Sequence, residues 1–540
     1  MQMGPHQILL DCGLIDPLPL INKYAKDPCP ADLVFCTHAH ADHARGLLDL
    51  HRACPTLPIY ASEVTARLLP LNWLDQEVPH FCQPLPWRSP IELKDGLTAQ
   101  LWPAGHLPGA ASILLTYKSR ERAYTVFYTG DFLLSNSRLV EGLPLEELRG
   151  IKPDVLIVEG SYGTGRHPRR RQQENQLAEK INRALSNGQS VLLPTPTLGL
   201  AQELLMLLRS HHHFTGRDID IWVDGSIAAG CDAYLDLLPY FPSTVQNFAR
   251  HQPLFWDERI RPRVRRLQPP DRHDPQPVSL PNAPCVILTD RGSELEHYCR
   301  SDDIPWLLLL PQKPGQIGST ETSVHHAIRQ SETLQTQIES NHLILDSYFL
   351  GDHCDGPSTT QLIHNIRPQH VIFIHGAPTY LADLTSLEEL QNRYQLHLPS
   401  VGNRVELPIG EMFLQPAPPD AKYEGELTEL ETLAMLTLPD AIMSDPRWQN
   451  FADTGLVEAR WQGDELVLRG LPQQEILNQG ASLPLPASLE CCKNCLHYRG
   501  QRCWNQASPL FGFKVTPDGY CPEFESLSSA LERPRIEADD

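Results

Sequence analysis

Short apolar runs that each end in a polar turn dominate the first 160 residues. Ile8 to Leu10 precedes Asp11-Cys12-Gly13, Leu33 to Cys36 precedes Thr37-His38, and Val126 to Tyr128 precedes Thr129-Gly130-Asp131. Runs of three to five β-branched or leucine-rich residues read as buried strands whose C-terminal ends deliver polar side chains to one sheet edge. From about residue 170 the texture changes. Glu174 to Leu185 and Ala201 to Leu208 have helical period, while Val191 to Leu193, Ile219 to Val223 and Val286 to Leu288 read as strands. Such alternation predicts a parallel α/β unit. The Pro- and Arg-rich stretch 261–284 reads as an exposed loop. Strand-then-histidine texture returns at Leu343 to Leu345 and Val371 to Ile374, so the α/β unit is expected to interrupt the first domain. Residues 415–420, QPAPPD, read as a linker to a third region, and no internal repeat is visible.

At 540 residues the chain exceeds one ordinary core. The expected division is 1–165 and 341–414 for the two halves of the first domain, 166–340 for the inserted unit, and 415–540 for an acidic C-terminal region. Hydrophobic residues at 41% and charged residues at 21% are globular values, which excludes a disordered chain. No apolar run approaches the roughly 20 residues of a membrane helix, and no basic-then-apolar leader opens the chain, so a cytoplasmic protein is expected. Only about seven residues precede the first run, which suggests an abbreviated sheet edge or a start placed late.

The net charge of −21 argues against a surface that coats nucleic acid, yet the charge is unevenly spread. Residues 411–540 hold 10 Lys/Arg against 21 Asp/Glu, so −11 of the total lies there. Positive charge is local: Arg166, Arg169, Arg170 and Arg171 form one cluster, and Arg259, Arg261, Arg263, Arg265 and Arg266 another. Each can be a solvated face, and together they can track phosphates. Nucleic-acid binding is assigned to Arg169, Arg170 and Arg171.

The densest chemistry is Thr37-His38-Ala39-His40-Ala41-Asp42-His43, placed directly after an apolar run. Alternate residues of an extended segment point the same way, so His38 and His40 can grip one metal while Asp42 and His43 in the following turn reach a second. Gly105-His106 in AGHLPGAAS and Asp131 in YTGD supply further donors. In this order the residues resemble the metallo-β-lactamase superfamily. The resemblance implies His38, His40 and His106 on one zinc, Asp42 and His43 on the other, Asp131 bridging them, and Asp11 as a structural acid. The last ligand should be a late histidine after a strand, and His375 in VIFIHG fits.

Further segments resemble the β-CASP branch of that superfamily, a branch of RNA-processing nucleases. Glu159 in LIVEGSYGTGRHPRR, followed by His167, matches its acid and downstream histidine. SVLLPTPTLGLAQELL matches its next signature through Pro194, Gly199, Gln202 and Glu203, and WVDGSIA its following strand and turn. Gly351-Asp352-His353-Cys354-Asp355 stands where the branch has Ser-x-His-x-Asp. The resemblance covers about residues 8–410. Departures lie at Leu200 in place of an arginine, at Gly160-Ser161, and at Thr289-Asp290-Arg291-Gly292, and they touch substrate range more than ligands.

The fold implied is α/β: a metallo-β-lactamase αββα sandwich with an inserted parallel β-CASP-like domain and a small Cys-rich C-terminal region. The function implied is a zinc-dependent nuclease that hydrolyses phosphodiester bonds, in RNA before single-stranded DNA, by a two-metal bridging-hydroxide mechanism. Asp42, Glu159 and His353 are the expected catalytic residues, with His353 protonating the leaving group and Glu159 orienting it. Two other classes stay open: a metallohydrolase of a small ester or thioester, and a non-catalytic RNA-binding subunit. A homodimer also stays open.

Nine of the fourteen cysteines lie singly along residues 1–410 and read as reduced core thiols. The other five gather at 491–521. Cys492, Cys495, Cys503 and Cys521, with Cys491 spare, have the spacing of a structural zinc site, an iron–sulfur cluster, or unligated redox thiols.

Overall fold

In the computed structural model the chain forms two compact units, Met1–Pro416 and Ala417–Asp540. The residues described are 1–17, 19–20, 29–267, 284–290, 295–299, 304–312, 328–407 and 409 of the first unit, and 428–430, 433–435, 457–462, 465–470, 492–499, 502–508, 510–512, 515 and 524–526 of the second.

Two sheets face each other in the first unit. One orders its strands Gln2–Met3, His6–Leu10, Leu33–Phe35, Ile59–Ser62 and Cys82–Leu85, parallel after the first pair. The other runs Gln395–His397, His370–Ile374, Val155–Glu159, Ala123–Tyr128, Ala111–Lys118, Leu97–Pro103 and Ile91–Lys94, parallel at the first end and antiparallel at the second. Alternation along the strands decides the layers. Leu97, Ala99 and Leu101 point with Ile113, Leu115 and Val126 into a core shared with Ile8, Leu33 and Phe35, while Phe127, Leu156, Val158 and Phe373 point the other way into a helix-covered core. This is an αββα sandwich.

Six strands form the inserted sheet, in the order Arg263–Arg266, Asp220–Val223, Val286–Thr289, Ser190–Pro194, Trp306–Pro311 and Leu343–Tyr348. All are parallel. A parallel sheet needs both faces covered. Val191 and Leu193 pack toward the helices Arg170–Ser186 and Leu200–Ser210, and Leu192, Ile287 and Leu308 pack on the opposite face.

Two expectations change here. Leu343–Tyr348, assigned above to the return segment, pairs with Trp306–Pro311 and is the outermost strand of the inserted sheet. Its local pattern announced a strand, but the choice of sheet is made by packing far along the chain. The stretch 261–284, read as a loop, contains the edge strand Arg263–Arg266 in register with Asp220–Val223. There Asp220 and Asp218 pair with Arg263, and Asp232 with Arg266. Residues 268–283 lie outside the described residues.

In the second unit Thr428–Leu430, Leu433–Met435, Val457–Gln462 and Glu465–Gly470 make an antiparallel four-stranded sheet, and Tyr498–Arg499 and Arg502–Cys503 a short hairpin. Among the described residues no helix of either unit is long and apolar enough to cross a membrane.

Candidate metal centre

The strand Leu33–Phe35 is fully buried, and the polar run from Thr37 leaves its end between the two sheets. Asp11, at the end of the neighbouring strand, fixes that exit. Its Oδ1 accepts from the Thr37 amide at 2.7 Å, and its Oδ2 accepts from Tyr128 Oη at 2.7 Å and lies 2.9 Å from His43 Nδ1. A Cβ on Gly13 would sit 1.6 Å from the Asp42 carbonyl oxygen, so only glycine lets this loop pass beneath the ligand turn.

Five imidazoles converge, and in each the ring nitrogen not aimed at a neighbouring imidazole has a partner, that of His375 lying close to Asp131 as well. His38 Nδ1 is 3.0 Å from Thr37 Oγ1, whose proton goes to Asp11. His40 Nε2 is 3.3 Å from the Leu198 carbonyl, His106 Nδ1 is 2.7 Å from the Asp352 carbonyl, and His43 Nδ1 faces Asp11. His375 Nδ1 is 3.0 Å from Ser161 Oγ, which itself donates to Glu159. These partners accept, so the network assigns the proton to the outer nitrogen and aims a lone pair inward.

The inward atoms form two adjoining groups. His38 Nε2, His40 Nδ1 and His106 Nε2 lie 3.0–3.2 Å apart along the contacts to His40, with Asp131 Oδ2 3.6 Å from His38 and 3.8 Å from His106. Asp42 Oδ2, His43 Nε2 and His375 Nε2 form the second, with His43 3.3 Å from His375 and from Asp131 Oδ2. Asp131 is buried between them. Its Oδ1 has no hydrogen-bond partner, although His375 Nδ1 is 3.2 Å away. In the first group, lone pairs 3.0–3.2 Å apart with no proton between them fit a cation, and in the second two histidines and a carboxylate crowded around Asp131, with its orphaned oxygen, fit another.

Electrostatics separate the groups. Burial drives His38 well below its usual pKa, burial with His106 takes His40 to about 4, and burial lowers His106 as well, so the histidines of the first group are neutral. In the second, burial opposes charge, yet Asp131 and Asp11 carry His43 well above its ordinary value, and Asp42 and Glu159 carry His375 to about 9. Without a cation, those two histidines hold protons in its place.

Beside the centre lies the pair Glu159 and His353. Glu159 Oε2 is 2.8 Å from His353 Nδ1, and Oε1 accepts from the Phe132 amide at 2.7 Å. Asp355 caps the helix Gly356–Ile366 through the Ser358 amide and accepts from the His167 amide, which pins the loop that carries His353.

The inserted sheet reaches the centre through the loop after Ser190–Pro194. Gln202 Nε2 donates to Thr197 O at 2.9 Å, and Gly199 adopts φ +85°, which sets Leu198 O against His40. Glu203 accepts from Ser137, Arg138 and Leu139 and ties the helix Leu200–Ser210 to the sandwich.

The arginine cluster divides. Arg170 pairs with Glu174 and Glu203 at 3.3 Å each and donates to Gly351 O at 2.7 Å, which makes it an internal tie. Arg169 and Arg171 are exposed. Cys521 lies outside the described residues. Cys492, Cys495 and Cys503 form no group with all three sulfurs within 4.8 Å of one another.

Sequence reasoning missed the partners that aim the ligands, above all Asp352, whose Oδ1 accepts from Tyr162 Oη at 2.6 Å while its carbonyl holds His106. Ser161 had been seen only as a departure from the family pattern. A further group, His211, His212 and His213, has ligand-capable nitrogens within 4.8 Å of one another, and the bare run of three histidines was its signal.

Residues 6–184 match the model of the beta-lactamase superfamily domain. Over 539 residues the chain is 50% identical to an uncharacterised protein of Synechocystis sp., covering 98% of this chain and 94% of the relative. The chain belongs to the metallo-β-lactamase superfamily, in its β-CASP branch. It is 32% identical over 243 residues to a probable RNase of Methanocaldococcus jannaschii, 41% of this chain and 54% of that protein. An RNase J-like protein of the same organism is 26% identical over 393 residues, 68% of this chain and 87% of the relative. The chain is a metal-dependent hydrolase of this family, whose named members include ribonucleases.

Proposed function

We propose that the chain is a zinc-dependent nuclease that hydrolyses phosphodiester bonds in RNA. The observation that carries this reading is the convergence of five imidazoles around buried Asp131, beside a His353–Glu159 pair at 2.8 Å whose carboxylate also holds Ser161 against His375. His38, His40, His106 and Asp131 would hold one cation, and Asp42, His43, His375 and Asp131 the other; imidazole and carboxylate donors suit zinc. A pair of such ions supplies a water that ionises near neutral pH and positive charge against a phosphodiester.

The remaining steps belong to the chain. Asp11 and Ser161 keep the rings of His43 and His375 turned inward. Burial opposes a charge on His353, yet Glu159, Asp352 and Asp131 lift its pKa to about 10, so it holds a proton at neutral pH. Its Nε2 lies 3.7 Å from Asp352 Oδ1, on the side away from Glu159, and can donate that proton to the departing oxygen. Glu159 steadies the ring through Nδ1. Burial alone would raise Glu159, but the His353 charge takes it below the usual carboxylate range.

RNA is favoured because two relatives of the chain are named as a probable RNase and an RNase J-like protein. Zinc-loaded protein incubated with end-labelled RNA, DNA of the same sequence and a small thioester tests the reading. Shortened RNA is expected; thioester cleavage with intact RNA would replace this reading by the small-substrate one.

A further inference from the structure

Three consecutive histidines follow the helix Leu200–Ser210, at the far end from Gly199, roughly 16 Å along its axis from the loop that meets His40. On a strand, neighbouring side chains would point to opposite faces. Here the chain turns instead. The His211 amide still donates to Leu207 O, and the His211 carbonyl accepts from the amides of Phe214 and Thr215, so residues 211–215 wind on through one tight turn. That turn gathers the rings. The centroids of His211 and His212 are 4.3 Å apart, those of His212 and His213 4.2 Å, and those of His211 and His213 4.9 Å. One nitrogen from each ring lies within 4.8 Å of the other two.

Two neighbours fix the tautomer of His211. The His213 amide donates to its Nδ1 at 3.3 Å, so that nitrogen carries a lone pair, and the proton sits on Nε2, which faces Asn175 Oδ1 at 3.1 Å. Burial first, then His212 and His213, hold the ring at about 4, so it takes no second proton at neutral pH. His211 is buried, whereas His212 is exposed and His213 half-buried, which leaves the two outer rings free to turn toward a shared ion. Arg138, the cation that bears on His211, is itself paired with Glu174. The carbonyl end of the helix adds a negative potential that favours a cation here.

We propose that His211, His212 and His213 form an accessory site for a divalent transition metal of the zinc class, with His211 Nδ1 as its fixed ligand. Three imidazoles without a carboxylate suit zinc, nickel or copper over magnesium or calcium. A zinc–nitrogen bond of roughly 2 Å asks for donors roughly 3.3 Å apart, a closure that rotation of the two outer rings supplies. Asn175, on the helix Arg170–Ser186, is the positioning residue, because it keeps the proton on Nε2 and the lone pair on Nδ1. A bound ion thus fastens the turn after one helix to the face of another.

The full chain is dialysed against zinc and its metal counted by elemental analysis, beside His212→Ala with His213→Ala. The unsubstituted chain should hold one equivalent more than the double variant. The difference is the readout, so it stands whether the catalytic centre holds two ions, one or none, and no RNA enters the measurement. Asn175→Ala keeps all three rings and should weaken binding of that equivalent by about 10–100-fold, the usual worth of an outer partner, whereas Asn175→Asp, which still accepts from Nε2, should retain it. Added zinc should also raise the melting temperature of the unsubstituted chain further than that of the double variant. Equal zinc content in the two proteins overturns the site. So does an Asn175→Ala affinity equal to that of the unsubstituted chain, which decides the matter if the double variant proves unstable.

Discussion

His353 Nδ1 lies 2.8 Å from Glu159 Oε2, and Glu159 is also the acceptor for Ser161, whose hydroxyl holds His375. One buried carboxylate therefore orients both the proposed acid and a proposed ligand. His353→Ala should leave metal content unchanged while lowering turnover by roughly 10²–10⁴-fold, the usual worth of a general acid. A substrate with a better leaving group should recover much of that loss. Metal loss in this variant, or no recovery, would sink the acid assignment.

His375 behaves differently because its Nε2 faces His43 and Asp42 rather than open space. His375→Ala should lower bound zinc from two equivalents toward one, measured by elemental analysis, with turnover falling in step. An improved leaving group should not help, since the missing contribution is the cation's. Retention of two equivalents would remove His375 from the ligand set.

Protons held by His43 and His375 give the metal a measurable signature. His375, at about 9, is protonated at pH 7, and His43 is raised as well. A cation must displace both protons to reach the lone pairs. Zinc added to metal-free protein near pH 7 should release about two protons, read by calorimetry in buffers of differing ionisation heat, and fewer as pH rises through 9. Release that is absent at pH 7 would mean that the second group binds no metal.

What the sequence made legible follows a physical rule. His38, His40, Asp42 and His43 were readable because a strand end and a turn are local, and local geometry fixes which way alternate side chains point. Asp352 and Leu198 were not, because each serves through a backbone carbonyl brought to the centre by the fold, and a carbonyl carries no residue signature. The strand Leu343–Tyr348 was legible as a strand, but its partner lies across the inserted sheet and is chosen by packing. The edge strand Arg263–Arg266 hid behind its charges. Arginines that read as a phosphate surface are matched by Asp218, Asp220 and Asp232, whose positions only the parallel register reveals.

The same lesson splits the cluster Arg169, Arg170 and Arg171 into two predictions. Arg170 has a side chain only 17% exposed and closes a network with Glu174, Glu203 and Gly351 O, so its removal leaves half-buried Glu203 without its cation, while Glu174 keeps Arg138 at 2.6 Å. Arg170→Ala should lower the melting temperature, at a cost of about 1–3 kcal/mol for unsatisfied buried acceptors. It should also disturb turnover, because Gly351 begins the loop that carries His353. Arg169 and Arg171 flank it on the exposed side. Their joint replacement by alanine should leave melting unchanged, weaken RNA binding, and lower the salt slope by at most about 2. The two variants therefore separate fold from binding. A melting loss in the Arg169/Arg171 pair, or a salt-slope change in Arg170→Ala at full stability, would reverse the division, because an internal ion pair neutralises no phosphate and an exposed arginine supports no core.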